Sequence, residues 1–455
     1  MKKNGSETRA KRLTEGNAMT AILSLAVPMI ISNLFLQFYN VADTLIVGKY
    51  LGTDSLAAVG SAGSITAVFV QLASGLALGG SVIVSQYFGG EKNDKIRICT
   101  QTLNIFMGIL GAVFTAAMII FARPVLILVN TPENVLNLAV KYLQWYFIGC
   151  IGIFIYNALN SIYIALGDSK TPLKFLIISS IVNIILDLLF IIVFKWEVMG
   201  AAFATAISQF LAAAMAIIDL PKLMSGFERN RDEPIFSKKI LMIMLKFAIP
   251  SALQQSVVSV GSVVVQATVN SFGSVVMAGS AAASKVINLA TAIPINYGNA
   301  YSNYVGQNMG AGRAERIWPG LKASLINCGV IMLIMTLVFE LWPEGIIQMF
   351  LQESETNIDQ VIKVGSAYIR VVGAFLIVFS SYMLIKATFK GSGDMGWFIF
   401  VTLLSFFIRL FLTVGFARTA GVGIIWWAFS AGWVVAFMVA IGRYVQGGWK
   451  KKRIV

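Results

Sequence analysis

Histidine is absent from the 455 residues, and with it go the commonest general base, the commonest metal ligand and the side chain that titrates nearest neutral pH. Proton chemistry must therefore run on carboxylates. These are scarce too: Asp and Glu number 21 against 35 Lys and Arg, and charged residues make up 12% of the chain. A water-soluble domain carries about a quarter charged residues, so a soluble globular fold is excluded. Only three cysteines occur, Cys99, Cys150 and Cys328. They lie far apart in or beside apolar runs, which rules out a CxxC pair or a closely spaced zinc cluster and reads them as small core residues. What the chain has in place of these groups is apolar length, with 57% hydrophobic residues.

A membrane-spanning helix needs roughly 20 apolar residues at about 1.5 Å rise each. Such runs fall at 18–47, 54–87, 97–121, 138–166, 173–194, 200–220, 239–271, 275–306, 317–341, 360–389, 396–416 and 422–445. The fold class expected is an all-α integral membrane protein with twelve transmembrane helices. The Met1–Asn17 stretch holds five Lys or Arg and no apolar core, so it is not read as a cleavable signal peptide.

The net charge of +14 would suggest a nucleic-acid partner in a soluble protein; here its distribution matters more, and no nucleic acid is expected. If the N-terminus is inside, the inner connections hold Lys92, Lys95 and Arg97, then Lys170 and Lys174, then Lys222, Arg229, Arg231, Lys238 and Lys239. Arg313, Arg316, Lys390 and the tail residues Arg443, Lys450, Lys451, Lys452 and Arg453 complete the inner set, against only Lys49, Arg123, Lys195 and Arg418 outside. Both termini are therefore expected in the cytoplasm, with the chain in the cell membrane. The basic tails read as solvated stop signals in preference to lipid-recognition sites.

The longest connection falls near the middle, with six spans on each side. The expected organisation is a tail at 1–17, a first lobe at 18–220, a linker at 221–238, a second lobe at 239–445 and a basic tail at 446–455. The two lobes repeat one another. Ala26-Val27-Pro28 has a counterpart in Ala248-Ile249-Pro250, and Tyr50-Leu51-Gly52 in Ser271-Phe272-Gly273, 222 and 221 residues later. At the same shift Ser85–Gly90 faces Gly306–Ala311; further on, Leu166-Gly167-Asp168 matches Ser392-Gly393-Asp394, and Met199-Gly200-Ala201 matches Val422-Gly423-Ile424. Six spans per unit make the repeats parallel, related by a pseudo-two-fold axis along the membrane normal, an architecture typical of transporters that rock two bundles about a central cleft.

The runs Asn40–Gly52 and Val305–Gly312, together with Asn183–Asp187 followed by Gly200–Thr205, resemble the multidrug and toxic compound extrusion (MATE) transporters, over essentially the whole chain. The resemblance implies a V-shaped fold of two lobes with a central cleft, and cation-coupled efflux of amphipathic, usually cationic, small molecules. It implies no enzymatic activity.

Two acids sit within spans, where an ionised Asp costs roughly 2.5 to 3.5 kcal/mol on insertion scales. Asp43 follows Tyr39 by four residues and Asp187 follows Asn183 by four, which puts each pair on one helix face. Both positions match a coupling pocket in the N-lobe of the prokaryotic MATE branch. Carried over residue by residue, the resemblance implies a pocket of Tyr39, Asp43, Asn183, Asp187 and Thr205. Two carboxylates brought together in low dielectric share a proton or bind a cation. The coupling ion expected is a proton, with sodium at Asp43 and Asp187 as the alternative; no other cofactor or metal is expected. A plainer reading stays open, in which Asp43 reaches interfacial water and Asp187 hydrogen-bonds a neighbour.

Pro28 lacks an amide donor and is expected to kink the first span, as Pro250 would the seventh; the resemblance implies bending at Pro28 after protonation, and a static kink is an equal alternative. Between Pro234 and Ala314 there is no Asp or Glu, so the seventh-span acid of some MATE branches is missing and a sodium site in the C-lobe is not expected. Gln37, Gln254, Gln255 and Lys285 are candidates for the substrate cleft, Lys285 being split between a cavity role and reaching for the interface. Arg409 and Arg370 read as helix anchors. Small-residue stretches at Gly75–Ser81 and Ala278–Ser284 are expected to let helices approach closely.

Three rival readings differ in class. Gly391-Ser392-Gly393-Asp394 spells the GxGD of an intramembrane aspartyl protease, but Asp394 aligns by repeat with Asp168 in a short loop. A flippase for lipid-linked precursors would use the same two bundles and would line its cleft with several basic residues. An ion channel lacks any repeated filter. The reading adopted is a monomeric antiporter of amphipathic compounds that works by alternating access within the lipid bilayer.

Overall fold

Long apolar runs with few breakers build long helices, because a helix pairs its backbone groups within one segment and needs no water to do so. A computed structural model describes residues 10–227, 234–351 and 357–452. Arg229, Arg231 and Arg453, assigned above to the inner surface, and residues 1–9 of the N-terminal tail lie outside the described residues.

The first half runs α1 (Ala18–Gly89), α2 (Asn93–Leu128), α3 (Glu133–Ile148), α4 (Cys150–Ala165), α5 (Lys170–Leu188) and α6 (Glu197–Leu223). The second runs α7 (Lys238–Asn270), α8 (Ser274–Gly310), α9 (Ile317–Leu341), the short α10 (Pro343–Gln348), α11 (Ile358–Gly373), α12 (Leu376–Ser392), α13 (Met395–Ala420) and α14 (Gly423–Gln446). α1 breaks at Gly52, whose φ of 81° and ψ of −175° are not helical, so it supplies two spans. The pairs α3–α4 and α11–α12 bend by 46° and 48° at short breaks, and each counts as one span. Twelve spans therefore appear among the described residues, with ends within a few residues of those read from hydropathy.

The repeat is visible in the backbone as well as in the sequence. Gly273, with φ 93° and ψ 175°, separates α7 from α8 as Gly52 divides α1. Both positions need positive φ, which only glycine adopts without a steric penalty. The two bent pairs differ by only 2°. Each ends at a glycine of positive φ, Gly167 at 87° and Gly393 at 90°.

Packing sorts the chain into two units: Met1–Arg12 with Ile31–Leu253, and Leu13–Ile30 with Gln254–Val455. These are called the N-lobe and C-lobe below. The division differs from that read from sequence because α1 and α7 each contribute to both units. The change falls within a turn of a proline in each helix, after Ile30 beside Pro28 and after Leu253 beside Pro250. Pro28 itself lies within helical dihedrals; in α1 the non-helical position is Gly52.

Within the N-lobe, α1 packs on the first part of α7 through Gly75 and Gly79. A Cβ built on Gly79 would stand 2.6 Å from the Met244 carbonyl oxygen and 2.9 Å from Ala248, and one on Gly75 would stand 3.0 Å from Ala252 Cα. Within the C-lobe, Gly279 of α8 lies equally close to α11, 2.7 Å from the Val361 carbonyl oxygen. Both small-residue stretches are thus backbone-to-backbone crossings.

Two sequence-based expectations are corrected. Part of the N-terminal tail is anchored, not solvated. Lys11 N–H donates to the Leu166 carbonyl at 2.8 Å in the N-lobe. In the C-lobe Leu13 N–H donates to Gln307 Oε1 at 2.7 Å, and Arg313 and Arg316 donate to the carbonyls of Thr14 and Gly16 at 2.8 Å each. Backbone polar groups near an apolar surface must find such partners. Lys390, expected in a connection, is instead buried in the last turn of α12, with Nζ donating to Asn299 Oδ1 at 2.9 Å.

The α1–α7 crossing gives a stability prediction. Gly79→Ala forces the Met244 carbonyl away, while Gly60→Ala meets nothing within 4 Å. Overpacking costs about 1–3 kcal/mol and alanine returns up to about 1 kcal/mol of helix propensity. Thermal unfolding of the detergent-purified protein is expected at lower temperature for Gly79→Ala and at an unchanged or higher one for Gly60→Ala.

Candidate functional site

Three helices of the N-lobe bring the acids together. The first span of α1 presents Tyr39 and Asp43 one turn apart, α5 presents Asn183 and Asp187 with the same spacing, and α6 presents Thr205. Asp187 and Asn183 are fully buried and Thr205 nearly so, while Asp43 and Tyr39 are half-buried. The helical register widens to a π turn at Leu189–Val193, which starts two residues after Asp187; such turns often mark functional sites. Next to it Phe190, Trp196 and Phe203 pack as an apolar wall, Phe190 lying 5.0 Å from Trp196 and 5.6 Å from Phe203 between ring centroids.

The fold brings the Asp43 and Asp187 carboxyl groups close enough to interact. An ionised carboxylate only accepts, so two facing carboxyls bond only when one of them carries a proton. Asn183 holds Asp187 from the side. With its amide turned so that each end meets a complementary group, Nδ2 donates to Asp187 Oδ2 at 2.9 Å and the amide oxygen accepts from Thr205 N–H at 3.1 Å. The Thr205 hydroxyl donates to the Ala201 carbonyl at 3.0 Å. It is therefore left to accept from the Tyr39 hydroxyl, 3.5 Å away.

All five residues of the sequence-derived pocket thus fall in one cluster. One oxygen of each acid, Asp43 Oδ1 and Asp187 Oδ1, is buried without a hydrogen-bond partner. A buried carboxylate oxygen without a donor is costly, and a proton or small cation would satisfy it. The donor set is all oxygen apart from the Asn183 amide nitrogen, which suits a proton or a hard cation; among the described residues no group of three or more His, Cys, Asp or Glu is gathered for a metal.

The structure adds residues that the sequence did not single out. Tyr142 and Tyr146 of α3, stacked with centroids 6.0 Å apart, lie near Asp43. Their i, i+4 spacing, the same as that of Tyr39 and Asp43, was the available signal.

The cleft candidates are not gathered in the same way. Gln37 is exposed on α1. In the C-lobe Gln254 is buried and donates to Gln255 Oε1 at 3.3 Å, whereas Lys285 is exposed and bonds neither glutamine among the described contacts. Asp394, the acid of the GxGD string, accepts from Arg443 Nε at 3.0 Å and Nη2 at 2.7 Å. An acid engaged in this way does not offer a free carboxyl to a peptide bond.

The description MatE belongs to a family model that matches residues 28–189 and 250–414, once in each half. The chain is 27% identical over 451 residues to the probable multidrug resistance protein YpnP of Bacillus subtilis, covering 98% of this chain and 99% of that protein. It is 25% identical over 442 residues to the probable multidrug resistance protein YoeA of the same organism, covering 94% and 93%. Among solved structures, a MOP superfamily transporter from Pyrococcus furiosus is similar in fold, with a TM-score of 0.89 at 22% identity over 98% of this chain and 100% of that one.

A protonated carboxyl in an apolar setting reacts with a lipophilic carbodiimide, whereas an ionised one does not. Mass spectrometry of protein treated at neutral pH is expected to place the adduct on Asp43 or Asp187 and to leave Asp394 unmodified. Asp187→Asn is expected to lower labelling of the pair severalfold.

Proposed function

We infer the activity from the family: this chain belongs to the MatE family of multidrug efflux transporters, which are not enzymes, and from that premise we propose a cation-coupled antiporter. It exports amphipathic, mostly cationic, compounds by alternating access, as a monomer in the cell membrane with both termini in the cytoplasm. The coupling ion is a proton; sodium is the alternative.

The observation that carries this reading is the facing pair of Asp43 and Asp187, each with one orphaned buried oxygen, among the described residues of a lobe interior. In low dielectric the two cannot both stay ionised without a partner. When the pair gives up its proton, the uncovered charge favours a cationic substrate; when a proton returns, that attraction is lost and the substrate leaves. Thr205, Asn183 and Tyr39 form the relay that ties the state of α5 and α6 to α1. Pro28 and Pro250 each remove one backbone hydrogen bond from a helix that changes packing partner within a turn of them. These are the positions at which α1 and α7 bend at least cost.

The flippase reading gains one observation, since the C-lobe holds Lys386, Lys390 and Arg409 at half-buried or buried positions. The same experiment separates the two. Proteoliposomes loaded with a fluorescent lipophilic cation are given a pH gradient or a sodium gradient. The pH gradient alone is expected to drive export by the wild type. Asp43→Asn or Asp187→Asn is expected to lower the initial rate at least tenfold while the melting temperature is kept. Undiminished export in both variants removes the coupling assignment, and no export of any cation under either gradient moves the reading to the flippase.

A further inference from the structure

The repeat breaks at the turn between α12 and α13. In the N-lobe, Asp168 closes the matching turn before α5 by itself, accepting from the Lys170 and Thr171 backbone N–H at 3.1 Å each and from the Thr171 hydroxyl at 2.6 Å. Its repeat mate Asp394 precedes α13, with Gly396 and Trp397 in place of Lys170 and Thr171, and its side chain caps nothing there. It accepts instead from Nε and Nη2 of Arg443, at the end of α14. Because the N-lobe closes this turn without any arginine, the shared scaffold does not require the Arg443 pair.

Beside the pair lies a cavity of about 510 Å³, lined by the first turn of α13 and by Trp397, Phe400, Arg443 and Lys452. One wall is aromatic. Trp397 and Phe400 meet edge to face with centroids 5.4 Å apart, and the Arg443 guanidinium carbon lies 5.1 Å from the centre of the Trp397 ring. Phe400 is exposed and stands five residues past Met395, roughly 8 Å into the span at about 1.5 Å per residue.

The other wall is basic. Of the five N–H groups that a guanidinium carries, Arg443 spends two on Asp394 and one on Gln446, so two remain. Lys452 is exposed, and its ammonium has no partner among the described residues. The sequence reads this tail as solvated, but as far as Lys452 it is packed on the lobe. Gly447 turns the chain at a φ of 73°, and a Cβ on Gly448 would collide with Arg443. Trp449 is then buried, stacked on Tyr444 at 5.4 Å and donating from its indole N–H to the Tyr444 carbonyl at 3.0 Å. This anchor delivers Lys452 to the cavity and leaves Lys450 and Lys451 exposed outside its lining.

The ends of membrane-spanning helices stand at the depth of lipid headgroups, where Trp marks the interface and clustered Lys and Arg hold lipid phosphates. Asp394 is neutralised by Arg443, so the cavity keeps a positive charge at its mouth with aromatic surface beside it. The ammonium of a choline or ethanolamine headgroup finds no free carboxylate in this lining. We propose that the cavity binds an anionic phospholipid. Its phosphate is held by Lys452 and the two remaining N–H groups of Arg443, and its glycerol and first acyl carbons lie on Trp397 and Phe400. The site belongs to the C-lobe, uses neither Asp43 nor Asp187, and stands whether or not the export reading does.

The test is native mass spectrometry of the delipidated full chain in detergent, titrated with phosphatidylglycerol and with phosphatidylcholine of the same acyl chains. Wild type is expected to take its first phosphatidylglycerol at least fivefold more tightly than its first phosphatidylcholine. Lys452→Gln is expected to bring the two within twofold by weakening phosphatidylglycerol alone. Lys451→Gln, adjacent in the tail but outside the cavity, is expected to keep the preference. Phe400→Ala is expected to weaken both lipids alike.

Equal affinities in the wild type, or a preference that Lys452→Gln leaves untouched, would overturn the proposal; the wild-type comparison stands even where a variant does not fold. Equal loss in Lys451→Gln and Lys452→Gln assigns the preference to the charge of the tail as a whole and overturns the site. Inorganic phosphate that displaces the lipid as effectively as phosphatidylglycerol itself marks a site for the free anion and overturns the lipid assignment.

Discussion

The hydrocarbon interior of a bilayer contains no water to bond a peptide group, and every feature of this fold answers to that condition. The backbone pairs within helices. Glycines of positive φ at Gly52, Gly167, Gly273 and Gly393 are among the positions at which the chain leaves helical geometry. The same condition governs side chains. Hydroxyls fold back onto their own helix, as at Thr205, Ser280 and Thr291, and tyrosines reach across to carbonyls, as Tyr301 does to Ile317 and Tyr382 to Val401. Among the buried polar atoms left without a partner, one oxygen of Asp43 and one of Asp187 fall in a single cluster.

The two lobes differ in the charges they carry inside. The N-lobe gathers two carboxyls on α1 and α5 and holds one of them with the Asn183 amide of α5, which is itself held by the Thr205 backbone N–H of α6. The C-lobe, built on the same plan, has no acid from Pro234 to Ala314 and carries a guanidinium on α13. Duplication supplied one scaffold twice, and substitution at a few interior positions gave the two copies opposite electrostatic character. A carboxyl pair can take up and release a proton at modest cost. A guanidinium cannot, so it serves as a fixed charge.

The two acids of the N-lobe site were readable in the sequence because an acid inside a span is costly enough to be noticed and each has a polar neighbour four residues before it. Their grouping with Thr205 was what the family resemblance implied. Asn183 and Asp187, or Tyr39 and Asp43, declare their common face without any knowledge of the neighbouring helix. Tyr142 and Tyr146 carried the same spacing but went unread, since a tyrosine in a span is unremarkable until an acid is seen beside it. Lys390 was misplaced because a lysine near a helix end ordinarily reaches water. That Asn299, on a helix 91 residues away, would receive its ammonium is a fact of packing. Arg409 read as an anchor for a related reason, since long basic side chains usually find an interface; its stacking over Phe429 is again a fact of packing.

Composition and periodicity by themselves determined the membrane environment, the twelve spans, the duplicated plan and the acids that matter, because each is written in local patterns of apolarity, spacing and cost. Tertiary structure alone decided which side chains of different helices meet, which hydroxyls remain unpaired, how the N-terminal residues are anchored, and where α1 and α7 change packing partners. Those outcomes depend on the rotation and crossing of helices far apart in the chain. The energies that set rotation and crossing are sums over many small contacts, such as the close approach of Gly79 to Met244, which no single stretch of sequence contains.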